Sequence, residues 1–123
     1  MVNYKKTTLI LGASLNPERY SFQAVKKLIE KQIKVFLVGI NKGQIDGIKI
    51  NNKFPSDKEI HTISIYLNPA AQIEYLDSIM DLSPRRVIFN PGAENPQLFN
   101  LLSVKEIECE NSCTLILLST NQY

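Results

Sequence analysis

Short apolar runs of strand length recur along the chain, and stretches between them repeat apolar residues at helical spacing. Thr7–Leu11 (TTLIL) is nearly all apolar, partly β-branched, and ended by Gly12. A run of this kind predicts a strand covered on both faces. Pro17 falls in a loop, and Ser21 is placed to cap a helix. Phe22, Val25, Leu28 and Ile29 then share one helical face, with Lys26, Lys27, Glu30 and Lys31 opposite. Lys34–Val38 is the second strand. Gln44–Ile50 reads as a connection with a turn at Asp46–Gly47 and a short strand in Ile48–Ile50. Asn51–Lys58 is a polar loop in which Pro55 and Ser56 can open one helical turn.

Thr62–Leu67 (TISIYL) is the next strand. Ala70–Met80 places Ile73, Leu76 and Met80 on one face of a helix, which Pro84 terminates. Arg86–Phe89 is a strand, and Pro96–Lys105 is a helix with Leu98, Leu101 and Leu102 on one face. Ile107–Cys109 is a last short strand. Thr114–Ser119 (TLILLS) fits either a strand or a buried helix, because a short apolar run has no decisive period. Strands alternate with helices throughout, so the expected architecture is α/β in three layers. Its sheet is mainly parallel, of about five or six strands, with right-handed crossovers. In such sheets ligands bind outside the carboxyl ends of the strands, so the loops after the strands matter most.

Composition narrows this picture. At 123 residues the chain is expected to form one domain over residues 1–123. A chain of that length buries roughly two-thirds of its unfolded surface and needs no disulfide or metal staple. The net charge is +2, from 14 basic residues, spread along the chain, against 12 acidic ones. That argues against nucleic acid, which calls for a concentrated basic face, and is compatible with a small anionic ligand. The two cysteines, Cys109 and Cys113, with no secretory leader ahead of them, point to a reducing, cytoplasmic setting. No apolar stretch reaches membrane-spanning length.

Four loops can carry chemistry. In Gly12–Ser21, Gly12 allows a sharp turn, Ser14 offers a hydroxyl, and the first amides of the helix offer donors at the positive end of its dipole. Arg19 can pair with a phosphate; equally, it can be a solvated residue on a plain strand–helix connection. The dinucleotide fingerprint G-x-G-x-x-G is absent, since positions 12, 14 and 17 are Gly, Ser and Pro. In Gly39–Gly43 no acid follows the second strand until Asp46, which weakens an NAD reading. Lys42 suits a phosphate on the ribose, or is an ordinary surface lysine. Asn68–Pro69 and Asn90–Asn95 both open on Asn-Pro at the same edge of the sheet. Their asparagines can cap the next helix or reach a ligand, and Asn95 before Pro96 is a sound cap and first helical residue. His61, the only histidine, precedes a strand and belongs at the far edge. Neither cysteine has the company that metal or redox work needs, and no catalytic set can be assembled.

The patterns G-A-S-x-x-P-x-R-x-S at Gly12–Ser21, Y-L-N-P at Tyr66–Pro69 and I-F-N-P-G-A-E-N at Ile88–Asn95 resemble the small stand-alone CoA-binding domain proteins. These are Rossmann-like domains similar to the CoA-binding domain of the succinyl-CoA synthetase alpha subunit. The resemblance runs from about Lys6 to Ser119 and implies CoA or an acyl-CoA as ligand. It implies that Gly12, Ala13, Ser14, Arg19 and Ser21 hold the pyrophosphate and that Lys42 faces the 3′-phosphate of the adenosine ribose. Asn68, Pro69, Asn90, Pro91, Gly92, Ala93 and Glu94 would line the adenine and pantetheine path. The chain departs from the family at Val38–Lys42, where V-G-I-N-K stands in place of V-N-P. The synthetase's phosphorylated histidine lies in a second domain with no counterpart here. The expected role is therefore non-catalytic binding, as carrier or sensor. An NAD(P)-binding or redox-sensing domain, and a protein-interaction domain with an unused nucleotide site, are the alternatives. The aromatic residues leave room for a homodimer.

Overall fold

A computed structural model describes residues 3–56 and 59–123, and of residues 3–5 the backbone only. In chain order the elements are β1 (Asn3–Leu11), α1 (Tyr20–Glu30), β2 (Ile33–Val38), β3 (Gln44–Ile45), β4 (Ile48–Asn51) and β5 (Thr62–Ile65). Then follow α2 (Pro69–Gln72), a 3-10 turn (Ile73–Tyr75), α3 (Leu76–Leu82), β6 (Arg86–Phe89), α4 (Pro96–Val104), β7 (Glu108–Asn111) and α5 (Thr114–Ser119). The sheet runs β3-β4-β2-β1-β5-β6-β7. Every pairing is parallel except β3 with β4.

β1 explains why the sheet is sandwiched. Leu9 and Leu11 enter one apolar cluster with Ile63, Ile65, Val87 and Phe89, beneath Ile79 and Leu98. Ile10 enters the other with Val35 and Leu37, beneath Val25, Leu28 and Leu118. Alternate residues of one strand face opposite layers, and both layers are dry. That is why the run carries no polar alternation. Burying a side chain such as Leu28 contributes on the order of 2 kcal/mol. The strand order turns back at β1: the chain first builds outward through β2 to β4, then returns to place β5 on the other side. A crevice opens at such a reversal, outside the carboxyl ends of the strands.

The sheet has seven strands, above the expected five or six. The short strand expected in Ile48–Ile50 is β4, and the addition is its two-residue hairpin partner β3. Elements that short leave almost no periodic trace. Their turn is the expected Asp46–Gly47, with φ of 49° and 83°, as a tight hairpin requires. The predicted helix Ala70–Met80 is divided by the 3-10 turn. Gln72 is fully buried upstream of that turn. It donates to the Leu67 and Ala93 carbonyls, each at 2.8 Å. At the turn's end Tyr75 stacks on Phe54, centroids 5.9 Å apart. The tighter turn sits between these two anchors, neither of which is visible to a count of apolar spacing. β5 stops at Ile65, and β7 extends to Asn111. Pro55 and Ser56 are not helical, and the rest of the turn they could open, Asp57 and Lys58, lies outside the described residues. Thr114–Ser119 is a helix with Thr114 and Leu118 inward. Among the described residues no helix is long and apolar enough to cross a membrane.

Candidate functional site

The crevice at the strand reversal is a cleft of about 580 Å³. Its floor is the loop leaving β1. The Gly12 and Ala13 amides both donate to the Val38 carbonyl, at 2.8 and 2.9 Å, tying this loop to the end of β2. Gly12 has φ +99°, and a Cβ there would lie 3.0 Å from Leu67 Cδ2. Gly39 packs closer still, since a Cβ would come within 2.5 Å of the Ala13 carbonyl oxygen. Two glycines thus let the loops after β1 and β2 press together.

Asn16 shapes the next turn. Its Oδ1 accepts from the Glu18 amide at 3.0 Å, and its carbonyl accepts from the Arg19 amide at 3.0 Å. This turn starts α1 at Tyr20, so Ser21 is not the cap expected of it: it is the second helical residue and is buried. Arg19 is the N-cap, and no side chain caps the helix. The first helical bond is from the Gln23 amide to the Arg19 carbonyl. The amides of Tyr20, Ser21 and Phe22 therefore keep no partner among the described residues, as the geometry of a helix start dictates. No acidic residue lies in that first turn. The uncapped end opens onto a cleft wall formed by Ser14, Arg19, Tyr20 and Ser21. The Ser14 oxygen accepts from the Asn16 amide at 3.1 Å, which leaves its hydroxyl proton to donate. Arg19 is exposed and makes no ion pair among the described residues. Serine hydroxyl, guanidinium, free amides and helix dipole all favour an anion.

The other walls are mixed. Gly39, Ile40 and Asn41 close the β2 side; Leu67, Ala71, Glu74, Tyr75 and Pro91 close the β5 side. Arg19 is the only cation among the described lining residues and Glu74 the only carboxylate. Tyr66 reaches the cleft while its hydroxyl is buried without a hydrogen-bond partner. Burial pushes its pKa up to about 12, and the nearby Ser64 and Thr114 hydroxyls only partly offset that. The phenol stays neutral at ordinary pH and is no general base.

The structure gathers Gly12, Ala13, Ser14, Arg19, Ser21 and Pro91 around the cleft. It puts the other candidates elsewhere. Lys42 is exposed beyond the wall, where its neighbours Ile40 and Asn41 stand instead. Asn68 caps α2, accepting from the Ala71 amide at 2.9 Å, and Pro69 follows as the first helical residue. Asn90 is buried, so the polar end meant for a ligand is turned inward. Its Nδ2 donates to Ser64 Oγ and the Ile65 carbonyl, both at 2.9 Å, and its Oδ1 accepts from the Thr114 amide at 2.8 Å. Glu94 accepts from the Gly92 amide at 2.8 Å, and Ala93 is buried. Tyr20, Gly39, Glu74 and Tyr75 line the cleft without having been singled out. A signal existed for Gly39, because a glycine closing a buried strand marks a close backbone approach. Glu74 and Tyr75 had none, since the 3-10 turn that presents them is invisible in the apolar spacing. His61 lies at the opposite edge, as expected. Cys109 and Cys113 are half-buried free thiols, less enclosed than small core residues would be. Among the described residues no three His, Cys, Asp or Glu side chains converge as metal ligands would.

Residues 6–119 match a family model described as a CoA binding domain. Among solved structures, an uncharacterized protein is similar at 39% identity and a TM-score of 0.93, covering 98% of this chain and 100% of its own. A Thermus thermophilus protein, cell-free ID.343, is similar at 20% identity and a TM-score of 0.85, covering 96% of this chain and 90% of its own. Prb, a PH1109 protein redesigned for binding, is similar at 22% identity and a TM-score of 0.80, covering 97% of this chain and 84% of its own. The last two likenesses concern the fold alone. No curated protein matches.

Proposed function

The chain belongs to the CoA-binding domain family, and from that premise we propose that its cleft binds CoA or an acyl-CoA without transforming it, as a carrier or sensor would. One observation carries this reading: α1 starts in the cleft uncapped, with no acid in its first turn, beside Ser14 and Arg19. A pyrophosphate supplies the acceptors that these donors lack, at the end of a dipole that favours negative charge. The adenosine goes to the β2 side, as in other doubly wound nucleotide sites. The pantetheine goes to the β5 side, past Leu67, Tyr75 and Pro91. The absence of an acid between Val38 and Lys42 supports CoA over NAD. The neutral Tyr66, and a histidine at the far edge of the sheet, support binding without chemistry.

Thermal denaturation with CoA, dephospho-CoA and NAD tests the reading. At 100 times its dissociation constant a ligand adds about 2.7 kcal/mol of stability. CoA should shift the transition and NAD should not; a shift with NAD alone would sink the proposal. Arg19→Ala should weaken CoA roughly tenfold, about 1.4 kcal/mol, close to the lower end of the range for a bond to a charged group. Equal affinity for CoA and dephospho-CoA would remove Lys42 from any role at the 3′-phosphate.

A further inference from the structure

The carboxyl edge of the sheet carries the cleft; the amino edge carries a second concentration of positive charge. Arg86 opens β6 and is only 6% exposed. Its Nε donates to Thr62 Oγ1 at 3.1 Å. One face of its guanidinium lies against the Tyr123 ring, 4.4 Å from the ring centre. Nη2 is buried and meets no acceptor among the described residues, and neither described ion pair involves Arg86. A buried cation with no counter-ion among the described residues is costly, and an unsatisfied buried donor in a native fold calls for an explanation.

The surroundings deepen the imbalance. Lys6 lies 5.9 Å from the centre of the same Tyr123 ring, and its Nζ donates to the Tyr123 carbonyl. Thr8 donates to the Lys6 carbonyl at 2.8 Å, which leaves its oxygen to accept from the Tyr123 hydroxyl. His61 Nδ1 is 2.7 Å from Thr62 Oγ1, the oxygen that Arg86 also uses. Burial lowers the His61 pKa, and then Arg86, Lys6 and Arg85 lower it further, with Glu108 alone opposing them. Three strands thus bring Lys6, His61, Arg85 and Arg86 to one corner, where Glu108 is the one acidic side chain acting on His61.

We propose that Arg86 anchors a second ligand site, at the amino edge of the sheet, for a small oxyanion, with Tyr123 as its cover. Nε is committed to Thr62, and the buried Nη2 is the guanidinium donor left without an acceptor among the described residues. One oxygen of a phosphate, a sulfate or a carboxylate satisfies it, and Lys6 is the second cation within reach. The anion arrives as the Tyr123 ring gives way, and Lys6 releases the Tyr123 main-chain oxygen to meet it. The site lies across the sheet from the cleft and does not depend on what the cleft binds.

The test follows the Arg86 Nε–H resonance of the 15N-labelled chain during titration with sodium phosphate, sodium sulfate and sodium acetate, each against sodium chloride at equal ionic strength. A saturating shift is expected. Response to phosphate and sulfate alone identifies a site for tetrahedral oxyanions, and response to acetate alone identifies one for carboxylates. A resonance that moves no further in any of the three than in chloride overturns the site. In thermal denaturation, stabilisation by phosphate should survive Arg19→Ala and vanish in Arg86→Met. The reverse pattern would assign the anion to the cleft and overturn the proposal. If Arg86→Met does not fold, the wild-type titration still decides. Tyr123→Ala should lower the phosphate concentration at half-maximal shift severalfold; a higher concentration would overturn the role of Tyr123 as cover.

Discussion

Two helices of similar length start at the same edge of the sheet, and only one is capped from within. α4 begins behind Asn95, whose Oδ1 accepts from the Leu98 amide at 3.1 Å, with Pro96 as a first residue that has no amide to satisfy. Ahead of it, Asn90 ties β5, β6 and α5 together. α1 begins behind Arg19, with no side-chain cap, and Tyr20 and Ser21, whose amides have no partner among the described residues, line the cleft. Both loops combine a glycine, a proline and polar side chains, and as sequence they look equally suited to a ligand. The polar valence of one is used inside the protein; the other holds its valence outward. Unused donors separate the loop proposed to bind from the structural one better than the residue types do.

The largest test of this contrast is Asn90→Asp. The change keeps shape but replaces the donor facing the Ile65 carbonyl with an acceptor, in a site where Asn90 is 1% exposed. Loss of two buried bonds and an unpaired carboxylate should cost about 3 kcal/mol, seen as a lower urea midpoint with an unchanged slope. CoA affinity of the folded fraction should not change. A protein that keeps its stability and loses CoA would make Asn90 a ligand residue and reverse the comparison.

Gly39→Ala comes next. Its Cβ would lie 2.5 Å from the Ala13 carbonyl oxygen, and that neighbour is backbone, which cannot swing away. Overpacking of this sort costs about 1–3 kcal/mol. Because the same contact holds the floor of the cleft, both the denaturation midpoint and CoA affinity should fall. Loss of stability with affinity intact would separate the packing of the two loops from the site.

Asn95→Ala removes the cap of α4 and should cost about 1 kcal/mol. Asn95 Nδ2 also donates to Gln72 Oε1 at 2.9 Å, so the loss extends to the anchor of α2. Melting temperature should fall while CoA affinity, measured by calorimetry, stays put. A parallel loss of affinity would mean that α4 shares in binding.

The layered fold was legible because its signals are local. TTLIL, KVFLV and RVIF are short, largely β-branched or aromatic apolar runs of the kind a covered strand tolerates, and they form β1, β2 and β6. The Gly12–Ser21 stretch could be placed at the cleft because strand, glycine and helix follow one another directly. What stayed hidden depends on contacts distant in sequence. Asn90 could be read as a ligand residue or a cap, because its true partners, Ser64 and Thr114, lie 26 and 24 residues away. Helix α5 was ambiguous for the same reason: the bond that fixes its first residue comes from Asn90. Glu74 enters the cleft on a turn set by the burial of Gln72 and the stacking of Tyr75 on Phe54, none of which leaves a period in the chain.

The smallest effect carries the sharpest sign. Tyr20 is the first residue of α1 and is 70% exposed. Tyr20→Glu puts a carboxylate in a first turn that has none. Its charge meets the free amides and the positive end of the dipole, which should stabilise the protein by about 0.3–1 kcal/mol at low salt. The same charge stands where the pyrophosphate is proposed to sit, so CoA affinity should drop. Stability and affinity would then move in opposite directions, the expected behaviour where open donors are kept at the expense of a cap. At α4 the capping oxygen already occupies that position, so Gln97→Glu, also in a first turn, should leave CoA binding unchanged. Thermal denaturation and calorimetry on the two variants, at low and high salt, measure both quantities. A Tyr20→Glu protein that is more stable and binds CoA as before would show that the start of α1 is merely uncapped, and that the ligand's charge lies elsewhere in the cleft.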